Sequence, residues 1–226
     1  MLSNIPQVDI WLSLGLAFVG GYGDAAGFVL AKTFTGHVTG NLVLGAISVA
    51  THDWRSALRH LSAIVTFLIG IFASVLIARP HKAWPWWPLL PTVMGIEAIL
   101  IVAASLALAS HIGHGVAIFV IFVSLALGLQ NGAFRRTGGI SVHTTYLTGM
   151  ITSVISSAAK KYADPEPARA PDPKTRLLVA IWTTFVLGAG VGAAMVVRFK
   201  ALGMLGAALL LIPLALREVL RRSAAA

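Results

Sequence analysis

The sequence predicts an all-α polytopic membrane protein, and three observations carry the prediction. Of 226 residues, 57% are hydrophobic and only 11% charged, with a mean hydropathy of +0.85, too apolar for a soluble domain of this size. Apolar runs at 10–31, 61–79, 89–110, 115–134, 177–197 and 199–216 each supply about 17–22 positions, the length a helix needs to cross a ~30 Å hydrocarbon core. The Lys and Arg residues behind the net charge of +9 sit in short loops beside these runs. That arrangement fits membrane topology and excludes a soluble basic module for nucleic acid.

Taken in order, the first run carries Asp24, and the nine residues before it hold no Lys or Arg. With no convincing cleavage site after it, this run is expected to stay as a helix rather than leave as a signal peptide. Residues 36–51 are shorter and richer in Gly, Thr and His; they and the similar stretch 141–159 read as broken or re-entrant segments. Residues 51–60 are expected to form a short interfacial helix, with Trp54 dipping in and Arg55 and Arg59 facing out. Trp84, Trp86 and Trp87 fit an aromatic belt before the 89–110 span, which contains Glu97. Arg135 and Arg136 close the 115–134 span as topology determinants, and the Pro-rich stretch 160–176 reads as a flexible linker before the last two spans.

The chain also matches itself in order. Gly23-Asp24-Ala25-Ala26-Gly27-Phe28 resembles Gln130-Asn131-Gly132-Ala133-Phe134, Val38-Thr39-Gly40 resembles Leu147-Thr148-Gly149, and Thr66-Phe67-Leu68-Ile69-Gly70 resembles Thr184-Phe185-Val186-Leu187-Gly188, at offsets of 107 or 108, then 109, then 118. A single membrane domain, 1–226, is therefore expected to hold two repeats, 1–112 and 113–226. If segments 36–51 and 141–159 enter and leave on one side, 12 of the 17 basic residues fall on the side of both termini; if both cross fully, the split is 10 to 7. The positive-inside rule favours the first arrangement, six spans plus two re-entrant segments with cytoplasmic termini. Three spans per half invert one repeat relative to the other. Eight spans with parallel repeats is the alternative.

Asp24 is the first candidate for chemistry, because a carboxylate at a helix centre costs about 2.5–3.5 kcal/mol on a translocon scale and must be offset by a partner or a task. His37, between two Gly-containing turns, supplies the side chain whose unperturbed pKa lies nearest neutrality, so the pair reads as a proton relay. Thr39 and Asn41 with Gly36 and Gly40 suit a helix that begins inside the membrane, where Thr can cap free N–H groups and the N-terminus favours an anionic or polar ligand group. Thr144, Thr145 and Thr148 with Gly149 repeat this pattern, while Gln130 and Asn131 replace the acid by neutral amides. For each of these the bland reading is helix packing and interhelical hydrogen bonding. Glu97 has the ambiguity of Asp24 without a surrounding motif. Gly70-x-x-x-Ser74 and Gly188-x-x-x-Gly192 are small-residue faces expected to seat neighbouring spans, although a homodimer contact is also allowed.

GYGDAAGF, FTGHVTGNLVLGA and ALGLQNGAFRRTGGISVHTTYLTGMITSV resemble the signature stretches of the YoaK-like bacterial inner-membrane proteins, a domain of unknown function, over about residues 10–216. Gly36, where a serine commonly precedes the histidine, and His143 depart from the pattern. The resemblance implies a polytopic helical protein of the bacterial cytoplasmic membrane and brings no substrate with it.

These readings converge on a small-solute transporter, proton-linked, with its pathway between the repeats and Asp24, His37, Thr39, Asn41, Gln130, Asn131, Thr144 and Thr148 as its binding residues. A membrane scaffold or assembly protein is the alternative. The expected partners are the lipid bilayer, an unidentified small solute and protons, with no nucleic acid. No cofactor or metal is expected: the chain has no cysteine, no cluster of His, Asp or Glu at ligand spacing and no GxxxxGK[ST] loop. Enzyme activity is not expected, since Asp24 has no acidic twin for an aspartyl pair.

Overall fold

The computed structural model describes residues 9–78, 88–111, 113–134, 136–137, 140–141, 147–163 and 173–223. The tryptophans at 84, 86 and 87, Arg135, His143 and Thr144 lie outside them. The described residues are helical almost throughout: α1 (Ile10–Ala31), α2 (Val38–Ala50), α3 (Trp54–Ile77), α4 (Leu89–Ala109), α5 (Gly115–Ala133), α6 (Leu147–Ala163), α7 (Pro173–Phe199) and α8 (Leu205–Ser223). One two-residue antiparallel pairing, Arg136–Thr137 with Ile140–Ser141, interrupts them. Five apolar stretches are long enough to cross a membrane, and the last, Thr175–Arg221, is folded back on itself by a 3-10 turn at Lys200–Met204.

Local chemistry sets several boundaries. Asp9 caps α1 by accepting from the Trp11 N–H at 2.9 Å, and it also pairs with Arg217 of α8 at 2.5 Å. Partial burial opposes ionisation of Asp9, but these two donors outweigh it and leave its carboxyl below the usual range. Lys32, left-handed with φ 54°, stops α1. Asp53 caps α3 through the Ser56 N–H.

Three expectations need correction. Residues 51–60 do not form a separate interfacial helix: from Trp54 the chain runs as one helix to Ile77, because no Gly or Pro stands between Trp54 and Ile69 to break it. The 160–176 linker is shorter than expected, since α6 extends to Ala163 and α7 starts at Pro173, where a proline's missing N–H costs nothing. The final helix is shifted towards the C-terminus, to 205–223, and carries Pro213 within it.

The bundle is built by exchange: α1 packs on α7 and α3 on α5, while α4 joins α5 to α8. Glycines let the crossing backbones touch. A Cβ on Gly21 would strike the Phe185 carbonyl and one on Gly188 the Phe18 carbonyl; at the other crossing, Gly70 meets the Leu125 carbonyl and Gly128 the Phe67 carbonyl. Such close approach is how helices associate where lipid removes the hydrophobic driving force. Polar stitches add to it: Ser105 donates to the Ala201 carbonyl at 2.7 Å, and the Tyr22 hydroxyl donates to the Gly203 carbonyl. Leu16, Tyr22, Met94, Ile101, Phe119, Leu127 and Met204 fill the centre. Leu58, Leu61, Phe72, Ile99, Leu209 and Leu216 point outward, as a lipid-facing surface requires.

Candidate functional site

Between α1 and α2 the chain doubles back. After Lys32 it returns along α1, so that Thr35 lies against Gly27, where a Cβ would sit 2.7 Å from Thr35 Cγ2. Midway along α2, Gly45 packs near His60 of α3, and Arg59 donates to the Ala31 carbonyl at 2.8 Å. The segment thus enters as an extended strand of chain and leaves as a helix towards the end of the bundle from which it came. At 1.5 Å per residue, α2 begins about 20 Å below its own tip, and Asp24 stands about 21 Å from the start of α1. The carboxylate is near mid-height in the bundle, because the far end is set by the tips of α2 and α3 and not by the end of α1.

Asp24, 4% exposed, organises this turn. Its Oδ1 accepts from the Thr35 N–H at 2.9 Å and the Gly36 N–H at 2.8 Å, and its Oδ2 meets Nδ1 of His37. Thr35 Oγ1 donates to the Gly23 carbonyl at 3.1 Å. The carboxyl of α1 thus ties down the chain just before the N-terminus of α2, which lies inside an apolar bundle. An Nδ1–H aimed at the carboxylate leaves Nε2 as the free nitrogen of the ring. His37 is about a third exposed. Its ring lies 5.7 Å from Phe34 and edge-on, at 6.1 Å, to Phe185 of α7.

The other expected site residues divide. Asn41 is beside the pair, but both ends of its amide hold Phe34: Oδ1 accepts from the Phe34 N–H at 3.1 Å and Nδ2 donates to the Phe34 carbonyl at 2.6 Å. Thr39 is exposed in the first turn of α2 and does not cap it; the N-cap is His37, with no side-chain cap bond. Gln130, buried, donates to the Leu16 carbonyl at 3.0 Å. The carbonyl that Gln130 holds is eight residues, about 12 Å, along α1 from Asp24, and the hydrogen bonds of the Asp24 carboxylate go to Thr35, Gly36 and His37 rather than to Gln130 or Asn131. Asn131 is buried, with no partner for Oδ1 among the described residues. Thr148 lies in the first turn of α6, and Thr144 lies outside the described residues.

Three contributors were missed by sequence reasoning: Phe34, Phe185 and Arg59. Phe185 stood in one of the repeated stretches, Thr184-Phe185-Val186-Leu187-Gly188, but nothing in the sequence aims it at His37. Arg59 passes for an ordinary surface cation, whereas it holds the last carbonyl of α1. Asn41→Asp tests the loop anchor. Exchanging the Nδ2 donor for an anion facing the Phe34 carbonyl is expected to cost about 1–3 kcal/mol, read as a lower unfolding midpoint in detergent; an unchanged midpoint would remove Asn41 from this role.

Residues 12–216 match the family described as protein of unknown function DUF1275. The chain belongs to the DUF1275 family. Among the relatives of this DUF1275 chain is the UPF0700 transmembrane protein YoaK of Bacillus subtilis (strain 168), 23% identical over 141 residues, which cover 62% of this chain and 63% of that protein. The match therefore spans less than two thirds of the relative's length. No solved structure matches the chain. The transmembrane relative and the apolar helices agree on a multi-pass membrane protein, and the DUF1275 match runs through the bundle from α1 to α8.

Proposed function

We propose that this protein is a small-solute transporter, proton-linked, in the bacterial cytoplasmic membrane, with both termini cytoplasmic and its pathway between two inverted repeats. The observation that carries the reading is a helix that starts at mid-height and is tied there to a carboxylate–imidazole pair. Irregular backbone at membrane depth is tolerated where it is buried in protein or lines a wet cavity, and intramembrane acids commonly lie on ion pathways. The two helix crossings support the repeat. Gly21 and Gly128 stand 107 residues apart and Gly70 and Gly188 stand 118 apart, the offsets of the sequence matches, and each touches the equivalent carbonyl of its partner.

In this mechanism His37 Nε2 takes a proton from the pathway, and the imidazolium is stabilised by Asp24 through Nδ1–H. Neutralising that pair changes what holds the N-terminus of α2, which couples protonation to the gate. Thr39, exposed beside His37, and the backbone of the turn supply polar contacts to the solute.

A scaffold role is the second reading, and one observation favours it: among the described residues, the hydrogen bonds of the Asp24 carboxyl go to its own loop. Flux into proteoliposomes from a panel of small acids, amines and sugars, with and without a pH gradient, separates the two. Wild type is expected to accumulate at least one solute in response to the gradient, and His37→Gln to fold normally yet lose the gradient dependence. If no panel member moves, or if His37→Gln responds to the gradient as wild type does, the proton-linked reading is wrong.

A further inference from the structure

A second acidic group stands at the same height, and nothing in the mechanism above uses it. Glu97 lies on the inward stripe of α4, with Leu90, Val93, Met94, Ile101, Ala104 and Ser105, and is 0% exposed. Neither of its carboxyl oxygens has a hydrogen-bond partner among the described residues. The helices fix its depth. Gly115 at the start of α5 packs against Ala107 of α4, so ten residues further along each antiparallel helix, about 15 Å, Glu97 is level with Leu125. Leu127, two residues on, touches Gly23 of α1 at 3.3 Å from its notional Cβ. Glu97 is thus within about one helical turn of the height of Asp24.

An ionised carboxylate so placed would carry a desolvation cost of many kcal/mol with nothing to offset it. Among the described residues, no positive charge is at hand. Glu97 is the only ionisable residue of α4, and α5 has none. The ionisable groups of the other elements packed on α4 lie towards their ends: Lys200 opens the 3-10 turn, and Arg217, Glu218, Arg221 and Arg222 lie in the last two turns of α8. Arg217 is engaged with Asp9, and Arg221 with Glu218. All the buried neighbours of Glu97 on the stripe but Ser105 are apolar.

We propose that Glu97 is an intramembrane proton-binding residue, which holds its proton as a neutral acid in this conformation and exchanges it only when α4 parts from α5 and α8. Its use in transport rests on the proton-linked reading above; its proton occupancy and exchange do not. The two acids would then differ in role. Asp24 is held by the Thr35 and Gly36 N–H groups and serves His37, whereas Glu97 carries a proton through the apolar centre and releases it where opening admits water.

The test uses the full chain in lipid nanodiscs and the apolar reagent dicyclohexylcarbodiimide, which attacks a carboxyl that is both protonated and reachable. The expected result is an adduct on the Glu97 peptide by mass spectrometry, absent in Glu97→Gln. Labelling should fall about tenfold for each pH unit above the titration point of the group. Infrared spectra of wild type should show a neutral-carboxyl stretch that disappears in Glu97→Gln, a variant that matches the shape of the neutral acid and should keep the fold. The proposal is overturned if the wild-type stretch is missing, which makes Glu97 ionised, or if the stretch is present and no adduct forms, which makes it a sealed structural group. Neither readout needs a solute, so a failed flux panel beside a pH-dependent adduct would count against transport and leave proton exchange standing.

Discussion

Replacing Asp24 by alanine is expected to unfold the turn between α1 and α2. The change leaves the Thr35 N–H, the Gly36 N–H and His37 Nδ1 without their acceptor, and each buried orphan costs about 1–3 kcal/mol. Even with partial relaxation, a total loss of roughly 3 kcal/mol or more is expected, visible as a large drop in the detergent unfolding midpoint. Asp24→Asn is the more informative change. Its carbonyl oxygen can still accept from Thr35 and Gly36, so the fold should survive with a loss of about 1 kcal/mol. The amide NH₂, however, now faces Nδ1 and must donate to it, which moves the imidazole proton to Nε2. His37 would then present a donor where wild type presents an acceptor. Nitrogen-15 spectra of the imidazole report this exchange of tautomers directly. A folded Asp24→Asn protein with the wild-type tautomer and wild-type flux would leave Asp24 as helix glue and nothing more.

The second large effect is expected at the helix crossings. Gly128→Ala and Gly188→Ala each place a methyl group on a neighbouring backbone carbonyl, of Phe67 and Phe18 respectively. Rigid backbone cannot move aside as a side-chain tip can, so each crossing must spread, at a cost of about 1–3 kcal/mol. Gly95 and Gly190 are helical glycines with nothing within 4 Å of a notional Cβ; alanine there should be neutral or stabilising by up to about 1 kcal/mol. Midpoints of the four variants in one detergent decide the matter. Equal behaviour of the two pairs would show that the crossings are looser than described. Because the two crossings are equivalent in the proposed repeat, Gly128→Ala and Gly188→Ala should also do similar damage.

How far the sequence reached is clearest at α1 and at Asp24. The limits of α1 were legible to the residue, since apolar length and the turn-forming residues after Ala31 both act locally. The limits of α3 and α8 were not. Where Trp54-Arg55-Ser56-Ala57-Leu58-Arg59 is polar enough to sit at an interface, capping by Asp53 and helical continuity joined it to the span behind it. Likewise, Asp24 and His37 were singled out because an acid and an imidazole are costly in apolar surroundings, whereas the roles of Phe185 and Arg59 depend on contacts across the bundle that have no local signature. Asn41 and Gln130 were legible as unusual polar residues, but not as anchors of a loop and of a helix pair.

By itself, the sequence determined the class of the protein, because burying backbone and apolar side chains in lipid leaves helices as the only economical solution for such a composition. It also determined which polar residues had to be explained. Only the tertiary structure decided what they explain. A carboxylate's partners come from a chain that folds back about 10 Å along α1, and the depth of Glu97 follows from how α4 pairs with α5. Both are set by the packing of helices far apart in sequence, which no local pattern of residues encodes.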